Sequence, residues 1–180
     1  MVKKIIITGG LGYIGTELCK IYSGLSWHHK IIVIDNRFVS ERVNQLRNWN
    51  IEFIHGDILD KNLINKVLKD VDIVHHLAGI TDVPRTKSES TDEKDNKIKL
   101  VGEKGTKNIL NAISNKCKII FPSTHVVYEG IDEVRDNIDE SEKTKPVLSY
   151  SSSKAINEKQ LKDSGKNYII LRLGSVYGYS

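Results

Sequence analysis

Short runs of β-branched and aliphatic residues recur along the chain and alternate with longer amphipathic segments. The runs at 4–8, 31–35, 51–55, 71–77, 119–123 and 168–173 read as six strands. Two of them, Ile5-Ile6-Ile7 and Ile31-Ile32-Val33-Ile34, are apolar without alternation, which suits strands covered on both faces and so a parallel sheet flanked by helices. The segments 13–23, 62–68, 97–114 and 150–161 read as helices. With right-handed crossovers these elements give an α/β protein in three layers, α/β/α, around a doubly wound parallel sheet. Two polar stretches, 81–96 and 129–146, read as solvated loops, and both follow strand ends, where such sheets bind ligands.

A length of 180 residues with 39% hydrophobic content fits one domain, 1–180, with a substantial core. Charged residues make up 28% but the net charge is only +4, with no basic block, so no nucleic-acid partner is expected. The chain opens Met1-Val2-Lys3-Lys4 without a signal peptide, and no apolar run approaches the roughly 18–20 residues that span a bilayer. A cytoplasmic protein with no membrane partner is expected. Cys19 and Cys117 are too few for a disulfide framework or a zinc site and read as buried, reduced thiols. His75 and His76 are neighbours in a strand, so they point to opposite faces and do not converge on a metal; no metal is expected. His125, Trp27, His28 and His29 are read as packing or loop-edge residues.

The strongest local signal is Thr8-Gly9-Gly10-Leu11-Gly12-Tyr13-Ile14-Gly15, where the first strand turns into the first helix. Glycines there let the backbone turn tightly and approach a pyrophosphate, whose charge is met by free N–H groups and the positive end of the helix dipole. Asp35 closes the second strand 20 residues after Gly15, the spacing of a carboxylate that bonds ribose hydroxyls. Such an acid repels a 2′-phosphate and favours NAD over NADP, with Arg37 close by as the counterargument. Without a ligand, the same residues would be a tight turn and a strand-end acid. Tyr150 and Lys154 stand four apart in a helix, on one face. A free tyrosine is a poor base at neutral pH, and an adjacent cation favours its phenolate, making proton exchange with an alcohol feasible. Thr124, at the carboxyl end of the fifth strand, could hold the same substrate oxygen.

Taken in order, Thr8 to Gly15, Asp35, His76-Leu77-Ala78-Gly79, Ser123-Thr124 with Tyr128, Tyr150 with Lys154, and Arg172 to Gly178 resemble the extended short-chain dehydrogenase/reductases, the NAD-dependent epimerase/dehydratase group with its Rossmann fold. The resemblance covers essentially the whole chain. It implies that Gly9, Gly12, Tyr13, Ile14 and Gly15 line the pyrophosphate, Asp35 and Asn36 the adenosine ribose, and Asp57 with Ile58 the adenine. Leu77, Ala78 and Gly79 would flank the cofactor. Tyr150 would be the acid/base, Lys154 would lower its pKa and hold the nicotinamide ribose, and Thr124 would position the sugar hydroxyl.

The implied chemistry is hydride transfer through a keto-sugar, on a sugar-nucleotide substrate, foremost a UDP-sugar. The dehydratase branch carries an acidic pair after the residue matching Thr124, where this chain has His125 and Val126. Ile34-Asp35-Asn36 and the Tyr128 region look more like the sugar 4-epimerases. A reductase, a decarboxylase, a dehydratase, or an NAD-binding sensor or scaffold without catalysis remain the alternatives. The family also implies a homodimer through the 97–114 helix and the Tyr150–Lys154 helix. Three positions depart from its pattern: Gly102 and Ser175 each stand for an Asn, and Glu129 stands for a Gly. The family's smaller carboxyl-terminal substrate domain is read as absent.

Overall fold

A computed structural model of the chain describes residues 2–81, 86–133 and 136–178. Six strands, β1 (Lys4–Thr8), β2 (Lys30–Asp35), β3 (Glu52–His55), β4 (Ile73–His76), β5 (Lys118–Thr124) and β6 (Asn167–Leu173), form one sheet in the order β3-β2-β1-β4-β5-β6. Every pairing is parallel. The chain therefore starts at the centre, winds out to β3, and crosses back to β4, which leaves a switch point between β1 and β4 where ligands enter such sheets.

Alternation along the central strands serves two cores. Ile6, Ile32, Ile34, Val74, Ile119 and Phe121 face one, with Ile64, Ile109 and Leu161 from the helices. Ile5, Ile7, Ile31 and Val33 face the other, with Leu11, Cys19, Val43 and Leu46. Both faces being covered is why these strands read as unbroken apolar runs. Cys19 and Cys117 are buried free thiols, and burial pushes them up to about 12 and about 11 respectively.

The helices are α1 (Tyr13–Ser23), α2 (Ser40–Asn48), α3 (Lys61–Val67), α4 (Asp92–Lys99), α5 (Gly105–Ala112) and α6 (Ser149–Asp163). Three differ from expectation. The pattern of apolar residues gives no helix at 40–48, because α2 buries only Val43 and Leu46. The polar stretch 81–96, read as loop, ends in helix: α4 starts at Asp92, behind a Thr91 cap whose side chain accepts the Lys94 N–H, with Asp92, Glu93 and Asp95 in its first turn. Residues 82–85 of that stretch lie outside the described residues. The single helix expected at 97–114 is α4 and α5 joined through a π-helical turn, Leu100–Lys104, a local widening of the helix often seen beside functional sites. The stretch 129–146 is irregular as expected over its described part, with residues 134 and 135 outside it.

His75 and His76 do face opposite ways. The His75 Nε2 lies 2.8 Å from the Tyr22 hydroxyl on α1, while His76 bridges Thr8 on β1 and Thr106 on α5, both at 2.9 Å. Burial and the Lys154 charge hold the His76 ring neutral, its pKa down at about 3. Among the described residues no helix is long and apolar enough to cross a membrane.

Candidate active site

The glycine turn is built by exclusion. Gly9 has φ +72°, and a Cβ there would lie 2.7 Å from the Ala78 nitrogen. A Cβ on Gly15 would run into the turn itself, 2.6 Å from the Gly10 Cα. Side chains at either position would separate β1, α1 and the β4 loop. Gly12 leads into α1 with no side-chain cap and no acid in the first turn, so the amide end of the helix stays available to an anion. The Asp35 carboxylate, 5% exposed, accepts the Leu11 N–H at 3.0 Å and the Arg37 N–H at 3.0 Å. It thereby ties the end of β2 to the turn, and the Arg37 Nε lies 3.4 Å from it. Arg42, on α2, donates to the Leu11 carbonyl.

Beyond β3, the Asp57 carboxylate accepts the Leu59 N–H at 2.8 Å and the Asn36 amide at 2.9 Å. Asn108 on α5 donates to the Ile58 carbonyl at 3.0 Å. Thr8 accepts the Ala78 N–H at 3.2 Å, so the His76 bridge extends from α5 to the Leu77-Ala78-Gly79 segment.

Tyr150 and Lys154 occupy the first two turns of α6. The Lys154 Nζ donates to the Pro122 carbonyl at 2.9 Å and sits 4.5 Å above the Phe121 ring and 5.8 Å from the Tyr150 ring centre. Burial brings the Lys154 ammonium down to about 8, against an upward pull from Glu158. Burial raises the Tyr150 phenol, and the Lys154 ammonium is directed at the Pro122 carbonyl and the Phe121 ring. Thr124 caps the short 3₁₀ turn His125–Tyr128, its hydroxyl accepting the Val126 N–H. His125 is turned away, with Nδ1 3.2 Å from the Leu173 carbonyl.

One cavity of about 1070 Å³ gathers every residue singled out for the site: Gly9, Gly12, Tyr13, Ile14, Gly15, Asp35, Asn36, Asp57, Ile58, Leu77, Ala78, Gly79, Thr124, Tyr150 and Lys154. The glycine turn and Asp35 lie on its walls together with the Tyr150–Lys154 pair. Arg37, Arg42, Lys94, Lys97 and Lys154 line it against the acids Asp35 and Asp57, a balance of charge that suits a ligand bearing phosphates. The glycine cradle, the uncapped helix and this charge fit a dinucleotide. Arg42 and Lys94 escape sequence reasoning because they sit on α2 and on the first turn of α4, the two helical pieces the apolar pattern misses, while Lys97, in the last turn of α4, opens the helix expected at 97–114.

Sequence reasoning also misses the support beneath α6. Glu158, 2% exposed, accepts the Ser123 hydroxyl at 2.6 Å and the Arg172 Nη2 and Nε at 2.6 and 3.0 Å. Arg172 also donates to the Tyr128 hydroxyl. Burial pulls the Glu158 carboxyl up, and Arg172 and Ser123 more than reverse it. The Gly102 departure has a structural counterpart: its carbonyl accepts the Asn157 amide at 3.1 Å, and a Cβ there would collide with the Ser153 hydroxyl. The π-helical turn thus brings bare backbone against α6 where a larger residue would displace Ser153.

The model of the family described as "NAD dependent epimerase/dehydratase family" matches residues 5–180. A dTDP-D-glucose 4,6-dehydratase of Dictyostelium discoideum is 32% identical over 98% of this chain and 44% of its own. A CDP-paratose 2-epimerase of Salmonella typhi is 31% identical over 97% of this chain and 58% of its own. Among solved structures, UDP-glucose 4-epimerase from Brucella ovis in complex with NAD superposes with a TM-score of 0.78 at 28% identity, covering 95% of this chain and 51% of that one. The chain spans about half the length of these relatives.

Proposed function

The chain belongs to the NAD-dependent epimerase/dehydratase family, and we propose that its cavity holds NAD while a hydroxyl-bearing carbon of a sugar nucleotide is epimerised. The observation that carries this reading is the presence of Tyr150, Lys154 and Thr124 on the walls of the cavity that also contains the glycine turn and Asp35. Gly9, Gly12, Tyr13, Ile14 and Gly15 would hold the pyrophosphate, Asp35 and Asn36 the adenosine ribose, and Asp57 and Ile58 the adenine, with Leu77, Ala78 and Gly79 alongside. NAD, when bound, supplies a hydride acceptor and then a hydride donor.

In this reading the Thr124 hydroxyl holds the reacting sugar oxygen and the Tyr150 phenolate takes its proton. The sugar becomes a keto-sugar, turns over in the site, and recovers the proton from the same phenol. Burial makes Tyr150 a stronger base once ionised, and in this reading the neighbouring Lys154 ammonium, protonated below about pH 8, is the cation that favours the ionised form. Similar proteins are named for sugars carried on dTDP, CDP and UDP; a UDP-sugar is the proposed substrate. Dehydration is the second reading, favoured by the 32% identity to a dTDP-D-glucose 4,6-dehydratase. Against it, His125 and Val126 place no carboxylic acid after Thr124 to protonate a leaving hydroxyl.

Calorimetric titration with NAD and NADP, then with UDP-glucose on the NAD-loaded chain, followed by NMR of the products, tests the reading. Saturable NAD binding and a product inverted at one carbon support it. A 4-keto-6-deoxy sugar would support dehydration, NAD binding without any sugar response a sensor or scaffold, and failure to bind either dinucleotide would sink both enzyme readings.

A further inference from the structure

The helix that carries Tyr150 begins without a cap of its own. Its N-cap residue is Leu148, whose side chain cannot accept a hydrogen bond, and its first turn contains no acid. An acceptor for the approach to the helix comes from the residue that follows the turn after β5. One carboxylate oxygen of Glu129 accepts the N–H of Val147 at 2.7 Å and of Leu148 at 2.7 Å, and the hydroxyl of Ser151 also donates to it. These three donors bracket Tyr150, with two on the approach to the helix and one directly after it.

We propose that Glu129 is the positioning residue for Tyr150: its carboxylate closes the amino-terminal end of α6 from outside and so sets where the phenol stands in the cavity relative to Thr124. The proposal rests on the reading of Tyr150 as the acid/base. Thr124 and Glu129 are the two ends of one 3₁₀ turn, as its N-cap and C-cap. The residue that would hold the sugar oxygen and the residue that holds the start of α6 therefore move as one piece. The neck of the following loop is closed at the same place, by Gly130 N–H to the Lys145 carbonyl at 2.9 Å and Lys145 N–H to the Val127 carbonyl at 2.8 Å. Partial burial pulls the Glu129 carboxyl up, but the bonds from Ser151, Leu148 and Val147 outweigh it and hold its pKa below the usual value, so the cap is ionised at neutral pH. A glycine at 129, as the family pattern has it, would leave the Val147 and Leu148 amides to find other acceptors.

The test compares Glu129→Ala with Glu129→Gln, whose amide oxygen can accept the same three bonds. NAD-loaded protein carrying ¹³C-labelled tyrosine is observed by NMR, with the Tyr150 resonance assigned by its loss in Tyr150→Phe, and kcat and KM are measured with UDP-glucose. For Glu129→Ala a displaced or broadened Tyr150 resonance is expected, with kcat lowered about tenfold or more and KM and NAD affinity within about twofold. Glu129→Gln should restore both the resonance and most of kcat. A Glu129→Ala protein with the wild-type Tyr150 resonance overturns the proposal, as does a Glu129→Gln protein as impaired as Glu129→Ala. If the wild-type chain turns over no UDP-sugar, the epimerase reading fails, and the resonance comparison alone decides whether Glu129 positions Tyr150.

Discussion

Replacing Tyr150 with Phe removes a hydroxyl and leaves the ring in the half-buried place it occupies on α6. Turnover of a UDP-sugar should fall by roughly 10²–10⁴, the worth of a positioned acid/base, while NAD affinity by calorimetry stays where it was. Undiminished turnover would remove Tyr150 from the chemistry. Lys154→Met tests the neighbouring group through stability as well as activity. Below about pH 8 the Lys154 ammonium is protonated in both the folded and the unfolded chain, and the cost of its burial is fully present. From there to the ordinary value of 10.5 only the unfolded chain holds that proton, so wild-type stability climbs with pH through this window. The full shift is worth about 3 kcal/mol. At pH 7 the Met variant, inactive, should therefore be the more stable protein by about 1–3 kcal/mol in urea unfolding, with the gap narrowing towards pH 10. A variant less stable at pH 7 would mean that the Pro122 bond and the Phe121 contact outweigh desolvation.

At the scale of elements, α6 is unusual in how it is held. Its buried face is Ser151, Ser153, Asn157, Glu158 and Leu161, so polar bonds to the π-helical turn, to β5 and to β6 replace most of the apolar packing a helix normally uses. Arg172→Met on β6 should expose this: it leaves the buried Glu158 with the Ser123 hydroxyl and a half-exposed Lys162 ammonium, and breaking a buried pair costs about 3–5 kcal/mol. The urea midpoint should drop with an unchanged slope, and a midpoint within error of wild type would show that Lys162, 3.7 Å away, or water takes over. The same polarity explains what could be read from the chain alone. Strands covered on both faces announce themselves as runs such as Ile31 to Ile34, and their carboxyl ends gather Gly9, Asp35, Ala78 and Thr124 at one edge of the sheet. That is why residues chosen from sequence lie in one cavity. The Glu158–Arg172–Ser123 cluster joins β5, α6 and β6; Ser123 and Arg172 fall in recognisable motifs, but no local pattern marks Glu158 as their partner. Nor does one mark α2, with two buried apolar residues, or the first turn of α4, whose evidence is a Thr91 cap and three acids inside a stretch that looks like solvated loop.

For the molecule as a whole, we propose association with a second copy through one of two exposed apolar surfaces. Of the residues that make the 97–114 segment look adhesive, Ile98, Ile109 and Ile113 are spent in the chain's own core. What stays outside on that side is Leu100, 49% exposed at the start of the π-helical turn, and Ile156, 40% exposed on α6, against which α4 packs. A second apolar surface lies on β6, which pairs with β5 and ends the sheet. Ile169 and Leu171 there are 39% and 43% exposed, on the face opposite Ile170, which reaches the core. A two-fold contact through the helical side needs a patch that complements itself, and α4 beside α6 offers one without an open row of backbone groups. Contact through β6 would use just such a row, as edge pairing does. Light scattering at tens of micromolar should show a dimer that Leu100→Glu with Ile156→Glu converts to monomer, NAD affinity being unchanged because neither residue lines the cavity. Leu171→Lys should leave the dimer intact. If Leu171→Lys disperses it and the helical pair of changes does not, association runs through the sheet edge, and the α4 and α6 surface is free for another partner.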